Sequence, residues 1–314
     1  MQPKLSVKIG SLRLQNPVMV ASGTFGYAEE FSSFIRLKEL GAIVTKTITL
    51  KPRQGNPPPR TCETPSGMLN SIGLENPGID EFIKKKLPFL VKIGVPIIVS
   101  ISAESDPEEF IELSRKLGRL SGVAALELNI SCPNIKVTKS QSHKVTRLIS
   151  QDAAATFETV KMVRKYTGKP IITKLSPNVT DITEIALSAE KAGSDAVSLV
   201  NTLLGMGIDV KRRTPKISTV TAGLSGPSIR PIAVRMVWEV YQKVKIPIIG
   251  MGGIMDTSNA LEFIIAGASA VSVGTANFIH PAVSVEIVAG IKDYLVSNKI
   301  NDIKDIVGSL NVKG

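Results

Sequence analysis

The residues best suited to chemistry in this 314-residue chain are a cysteine, two lysines and two glycine-bearing turns. Cys132 sits in Leu128-Asn-Ile-Ser-Cys-Pro-Asn134, between polar neighbours and ahead of a proline that stiffens the turn. A thiol in that setting can act as a nucleophile or as a general acid/base. Nucleophilic cysteines usually need a histidine. His143 lies in a Lys/Ser-rich stretch and His280 opens the last helix, so proton transfer is the favoured role. Lys46 and Lys174 each close a short apolar run, where a purely structural element has no use for a cation. Two further runs end in Gly252-Gly253 and Gly274-Thr275. Glycine lets backbone N–H groups approach an anion closely, so these turns suit a phosphate-bearing ligand. Cys62, in Pro59-Arg-Thr-Cys-Glu-Thr64, has no comparable setting and reads as incidental.

The elements that would position these residues alternate regularly. Apolar, β-branched runs occur at Val18–Ala21, Ala42–Lys46, Pro96–Ile101, Ala124–Ile130, Pro170–Leu175, Asp195–Val200, Ile246–Gly250 and Ser269–Gly274. Continuous apolar runs are what parallel strands buried on both faces require. Amphipathic segments separate them. One starts at Asp106-Pro107-Glu108-Glu109, with an N-cap acid, then proline, then acids facing the helix dipole. Others run over Ala153–Tyr166, Ile182–Ala192, Thr257–Ala266 and Pro281–Leu295. Strand–helix alternation repeated eight times predicts a (β/α)8 barrel. An open doubly wound sheet fits less well, because Ser22-Gly-Thr-Phe-Gly26 after the first strand is no dinucleotide fingerprint. Residues 5–14 read as a hairpin ahead of the barrel, and the whole chain, 1–314, as one domain. Lys51–Asp80 and Pro133–Gln151 are too long for simple loops and belong on the catalytic face. Barrel sites are built at strand C-terminal ends. Here those ends are Ser22, Lys46, Ser100, Asn129 with Cys132, Lys174, Asn201-Thr202, Gly252-Gly253 and Gly274-Thr275.

Composition narrows the class. Lys and Arg number 38 against 27 Asp and Glu, for a net charge of +11. Such a charge suits nucleic acid, an anionic small molecule or a merely solvated surface. Aromatic residues make up only 4%, too few for single-strand stacking. Lys84-Lys85-Lys86 and Lys211-Arg212-Arg213 read as solvated faces, with Asp209 placed to organise the second. Two cysteines cannot build a disulfide framework, a four-cysteine zinc site or an iron–sulfur cluster. No apolar window is long enough to span a membrane and no signal peptide is evident, so a cytoplasmic protein is expected.

Several motifs together resemble the FMN-dependent dihydroorotate dehydrogenases. They are Asn70-Ser-Ile-Gly-Leu-Glu-Asn-Pro-Gly78, Asn129-Ile-Ser-Cys-Pro-Asn134, Lys174-Leu-Ser-Pro-Asn-Val-Thr-Asp181, Gly223-Leu-Ser-Gly-Pro227, Gly250-Met-Gly-Gly253 and Gly274-Thr-Ala-Asn-Phe278. They follow family order from about Ser6 to Phe278, and the chain is most similar to soluble class 1, in particular the partnered class 1B catalytic subunit. The resemblance implies that FMN lies across the barrel mouth. Its phosphate would be held by Gly252, Gly253, Gly274 and Thr275, with Gly226 nearby, and its ring contacted by Ser22, Lys46, Thr47, Ser100, Asn129, Lys174 and Val200. Dihydroorotate would bind through Asn70, Ser71, Ile72, Gly73, Leu74, Asn129, Asn134, Asn201 and Thr202, with Lys46 assisting. Cys132 would take the C5 proton as C6 gives a hydride to the flavin, yielding orotate for de novo UMP synthesis. The resemblance also implies a homodimeric core and an electron-transfer subunit carrying FAD and an iron–sulfur cluster. No metal, nucleic acid or membrane is expected. Two departures stand out. The segment after Asn134 reads Ile-Lys-Val-Thr-Lys-Ser-Gln-Ser-His-Lys-Val-Thr-Arg147 where the family carries glycines or Pro-Gly-Lys, and Ser100 replaces a flavin-contacting asparagine. tRNA dihydrouridine synthases and dihydropyrimidine dehydrogenase use related FMN barrels. The first normally add a C-terminal RNA-binding domain and the second supplies many cysteines, and this chain has neither after its last barrel helix.

Overall fold

The structure, a computed structural model, describes residues 2–104, 106–131 and 148–312. Strands Val18–Val20, Ala42–Val44, Ile97–Ile101, Ala125–Asn129, Ile171–Lys174, Ala196–Leu199, Ile248–Met251 and Ala270–Val273 close into a parallel barrel, in that order. They are numbered one to eight below, and all eight coincide with the apolar runs of the sequence. The hairpin of Val7–Ile9 and Leu12–Leu14 precedes them as expected.

The pairing register sorts the strand residues into two faces, because side chains alternate along a strand and paired residues share a side. One face carries Val18, Val20, Ile43, Ile97, Val99, Leu126, Leu128, Ile171, Val197, Leu199, Ile248, Val271 and Val273. This is the outer face, and it packs on the surrounding helices. A methyl group on Gly250 would lie 2.6 Å from Phe263 of the Thr257–Ala266 helix. Burying such rows stabilises the fold by about 1.5–3 kcal/mol per large side chain. The other face points inward and includes Ser100, Glu127, Asn129, Lys174, Ser198 and Ser272. A barrel interior is ordinarily filled by branched apolar residues. Polar ones are found here on several strands.

Helices Ala153–Arg164, Ile182–Lys191, Arg230–Tyr241, Thr257–Ala266 and Val283–Ser297 lie between or after the later strands. The helix expected from Asp106 runs Glu109–Gly118. Its aspartate instead closes a preceding turn, accepting the Glu108 N–H at 2.9 Å. The long segment after strand two contains the hairpin Thr61–Thr64 and Gly67–Asn70, then Ile79–Glu81, a π-helical turn at Phe82–Lys86, and Leu87–Lys92. Strands Leu203–Met206 and Thr221–Ser225, after strand six, complete a four-stranded sheet with that hairpin. The sequence reading did not anticipate this sheet. Cys62 is half-buried in it, beside Leu69, Ile217 and Ala222. Asp209 does organise its basic turn, accepting the N–H groups of Lys211 and Arg212 at 3.0 and 3.1 Å. No helix among the described residues is long and apolar enough to cross a membrane.

Asp181 caps the Ile182–Lys191 helix, its carboxylate accepting the Thr183 N–H at 2.8 Å. The Thr183 hydroxyl and backbone hold that carboxyl below its ordinary value of 3.8. A lowered native value means that the cap stabilises fully above the ordinary value and fades as pH falls through the native one. Asp181→Ala is therefore expected to cost about 1 kcal/mol at neutral pH. The gap to wild type should narrow in denaturant titrations taken into strongly acidic buffer.

Candidate active site

Strand ends two, three, four and six are tied by one chain of buried hydrogen bonds. The Asn201 amide donates to Ser131 Oγ at 2.7 Å, and Ser131 donates to Asn129 Oδ1 at 3.0 Å. The Asn129 amide donates to Thr47 Oγ1 at 3.0 Å, and Thr47 and Ser100 hydroxyls meet at 2.9 Å. Ser102 adds a bond to the Asn129 carbonyl at 3.0 Å. Both ends of the Asn129 side chain are thus occupied, which fixes its amide orientation. Ser100, the second departure noted from the resemblance, belongs to this chain rather than standing apart.

Lys174 ends strand five with 6% exposure, and its ammonium donates to Ser22 Oγ at 3.3 Å across the barrel. Ser22 is itself buried at the end of strand one. An ammonium removed from water is costly unless an anion or several acceptors share it. Lys46 is half-buried beyond strand two, its N–H bonded to Gly26 O at 2.8 Å. Val200 follows strand six, buried, with its N–H on Met251 O at 2.9 Å.

The glycines gather at the ends of strands seven and eight. Gly226, Gly252 and Gly253 have φ of 97°, 126° and 75°, a region that side chains disfavour. A methyl group on Gly253 would lie 2.8 Å from the Gly226 carbonyl, so the two turns abut. Thr275 donates to Ser225 Oγ at 2.9 Å and ties strand eight to the same turn. A methyl group on Gly274 would lie 3.7 Å from the Ala21 side chain, in ordinary contact with the residue that follows strand one.

The expected substrate loop is held by residues the sequence reading left unassigned. Asn76 accepts from Thr49 N–H and Gly78 N–H and donates to Thr49 Oγ1 and to Leu74 O at 2.7 Å. Asn56 donates to both Ser71 oxygens at 2.9 Å and its N–H to Ile72 O at 3.0 Å. Gly73 packs against Asn56, where a methyl group would be 2.7 Å away. Asn70 ends the Gly67–Asn70 strand, its amide 3.4 Å from Gly223 O. Thr202 is held through Asn178, whose amide donates to Thr202 O at 3.0 Å and whose Oδ1 accepts from Leu204 N–H at 2.8 Å. Asn76, Asn178 and Ser131 all lay inside the motifs quoted above. Their signal was present, but their role is visible only in three dimensions.

Of the expected site residues, Ser22, Thr47, Ser100, Asn129, Lys174, Asn201 and Thr202 come together as buried or half-buried groups at the strand ends. Gly226, Gly253 and Thr275 form a second cluster. Cys132 and Asn134 lie outside the described residues, as does His143. His280 is on the surface, 2.7 Å from Glu286.

A closed parallel barrel with a buried lysine, an amide–hydroxyl chain and a glycine cradle at one mouth is the framework of a barrel oxidoreductase. The chain belongs to the dihydroorotate dehydrogenase family, whose model, "Dihydroorotate dehydrogenase", matches residues 4–295. It is similar to the "Dihydroorotate dehydrogenase B (NAD(+)), catalytic subunit" of Geotalea daltonii, 52% identical over 311 residues and 99% of each chain. The protein of that name from Desulforamulus reducens is 51% identical over 312 residues, 99% of this chain and 100% of that one. That from Thermoanaerobacter pseudethanolicus is 52% identical over 308 residues, 98% and 99% of the two chains. The resemblance to the partnered class therefore holds over the whole length, and the other FMN barrels are not favoured.

Asn129→Ala removes a donor and an acceptor from the middle of the buried chain, leaving Thr47 bonded to Ser100 and Ser131 to Asn201 with one bond fewer each. A buried polar group that loses a partner costs about 1–3 kcal/mol. A loss of at least about 2 kcal/mol in denaturant unfolding is expected, against under about 1 kcal/mol for the half-exposed Asn201→Ala.

Proposed function

We propose that this chain oxidises dihydroorotate to orotate on a bound FMN, with Cys132 removing the substrate proton. Oxidation of dihydroorotate, a step of pyrimidine biosynthesis, is the activity that defines the family. The observation that carries the cofactor is the pairing of a buried, inward lysine with a glycine cradle at the same mouth. Lys174 is poised to receive negative charge, and Gly226, Gly252 and Gly253 hold the positive-φ backbone that lets an anion approach closely.

When bound, FMN supplies the hydride acceptor for C6 of dihydroorotate. The chain's own residues do the rest. Gly252, Gly253, Gly274 and Thr275, with Gly226, hold the phosphate by backbone N–H groups. Lys174 and Ser22 face the pyrimidine edge of the ring, where a cation stabilises the charge gained on reduction. Lys46, Thr47, Ser100, Asn129 and Val200 complete the ring's contacts. Asn129 and Asn201, with Asn134 and Asn70, suit a pyrimidinedione because an amide both donates and accepts. Thr202, Lys46 and residues Ser71 to Leu74 enclose the substrate. Cys132 takes the proton from C5. A thiol with an ordinary value near 8.5 serves as a base at mildly alkaline pH.

The relatives named above are catalytic subunits, which supports an electron-transfer partner for this chain as well. With two cysteines in the chain, an iron–sulfur centre would have to reside on that partner with its FAD. A homodimeric core is supported by the exposed apolar stripe of Leu204, Met206, Ile208 and Val210. Residues 1–314 read as one domain, because the main hydrophobic core among the described residues runs from Val7 to Ile306, with a small second cluster around Leu69. The reading is of a cytoplasmic protein.

Cys132→Ala is the test of the proton-transfer role. The variant should retain FMN, yet its flavin should be reduced by dihydroorotate at least about 100-fold more slowly in rapid-mixing absorbance traces. Unchanged reduction kinetics would remove Cys132 from the mechanism.

A further inference from the structure

Among the described strand residues, two inward-facing side chains are ionisable: Lys174 on strand five and Glu127 on strand four. Glu127 has no part in the chemistry above. It is 2% exposed, deep in the barrel. Ser198 on strand six donates to its Oε2 at 3.2 Å, while Oε1 is buried with no hydrogen-bond partner. Glu127 stands two residues before Asn129 on the same face, about 6.6 Å lower at the usual strand rise. Asn129 pairs in register with Lys174, and Glu127 with Ile172. The carboxylate therefore sits one step beneath the amide–hydroxyl chain and the lysine.

The neighbours facing it are uncharged. Strand three presents Ile98 and Ser100, strand five Ile172, and strand six Ala196 and Ser198. The other charged group on the inward faces of the described strands is Lys174. A residue that merely filled the barrel would be Val, Ile or Leu. A carboxylate held out of water there is costly unless an opposite charge shares the interior.

We propose that Glu127 is the internal counter-charge of the cofactor site, which it tunes through the field it shares with Lys174. This rests on the FMN reading above. With the ring neutral, Glu127 offsets the buried ammonium. Reduction brings two electrons and one proton to the ring and leaves it anionic. Glu127 exchanges neither, but its charge opposes the new one. It thereby holds the flavin potential down and makes the reduced cofactor a stronger donor to the next carrier. Glu127 is a positioning residue for charge, not one that touches substrate.

The test is the midpoint potential of the FMN-loaded chain, read by equilibration with redox dyes, in wild type, Glu127→Gln and Glu127→Asp. Two unit charges about 10 Å apart at an effective dielectric near 20 change an equilibrium by about tenfold. Glu127→Gln keeps the shape and the acceptor for Ser198 but removes the charge. Its potential should rise by about 30 mV, that tenfold shift for a two-electron couple. Glu127→Asp, which keeps the charge, should stay near wild type. A structural role alone would lower stability or FMN affinity in both variants without this split. An unmoved potential in Glu127→Gln overturns the proposal. If Glu127→Gln does not fold, the infrared difference spectrum of wild type on reduction decides, with 13C-glutamate labelling. A shifted glutamate carboxylate band supports the proposal and a silent region overturns it. Wild type that takes up no FMN would instead defeat the cofactor reading itself.

Discussion

A barrel closed by parallel strands has one interior, and every second residue of every strand must go into it. That constraint organises this molecule. The outward residues are mostly branched and apolar, so burial is the main force that holds the helices. The inward residues near the C-terminal ends are polar, and once buried they must satisfy one another. They do so by the chain Asn201–Ser131–Asn129–Thr47–Ser100 and by the Lys174–Ser22 bond. The polar interior and the apolar exterior are two consequences of the same two-residue period.

Rigidity at the mouth follows from where these groups are rooted. Asn129 and Lys174 end strands whose backbones are paired on both sides, and Ser22, Thr47 and Asn201 follow strand ends bound to them. Groups on such elements hold position better than groups on loops. The substrate loop is less rooted in strands, and it compensates with amides. Asn76 and Asn56 bind their neighbours' backbone, while Asn178 pins Thr202 from the far side. The asparagines around the mouth therefore divide into two sets. Asn129 and Asn201 belong to the mouth, whereas Asn56, Asn76 and Asn178 hold the backbone that frames it.

Most of the barrel was legible in the sequence because its strands are continuous apolar runs and its helices end at glycines such as Gly193 and Gly267. The four-stranded sheet was not. Leu203–Met206 and Thr221–Ser225 are short, half-exposed and interrupted by Gly205 and Gly223, so neither gives a strong period. Their pairing with Gly67–Asn70 joins residues about 150 positions apart, as Asn70 and Gly223 show, which local patterning cannot express. The helix at Asp106 began later than its residues suggested, because an acid that caps a turn looks like one that caps a helix. For the site, the strand-end list carried residues that the fold brings together at one mouth, since barrel geometry alone says where to look. The network among them depends on Ser131, and the seating of Thr202 on Asn178; both lie in the quoted motifs, but their partners are distant in the chain and leave no local pattern. The proton-transfer role proposed for Cys132 rests on its type, its place in the sequence after strand four and the family, since Cys132 lies outside the described residues.

On the proposed reading, the polar mouth with Lys174 at its centre is a flavin site serving dihydroorotate. The most direct measurement is the visible absorption spectrum of the purified chain, reconstituted with FMN where needed and titrated anaerobically with dihydroorotate. The account predicts flavin bands that bleach in proportion to the substrate added. A chain that cannot hold FMN, or a bound flavin that dihydroorotate leaves oxidised, would contradict it.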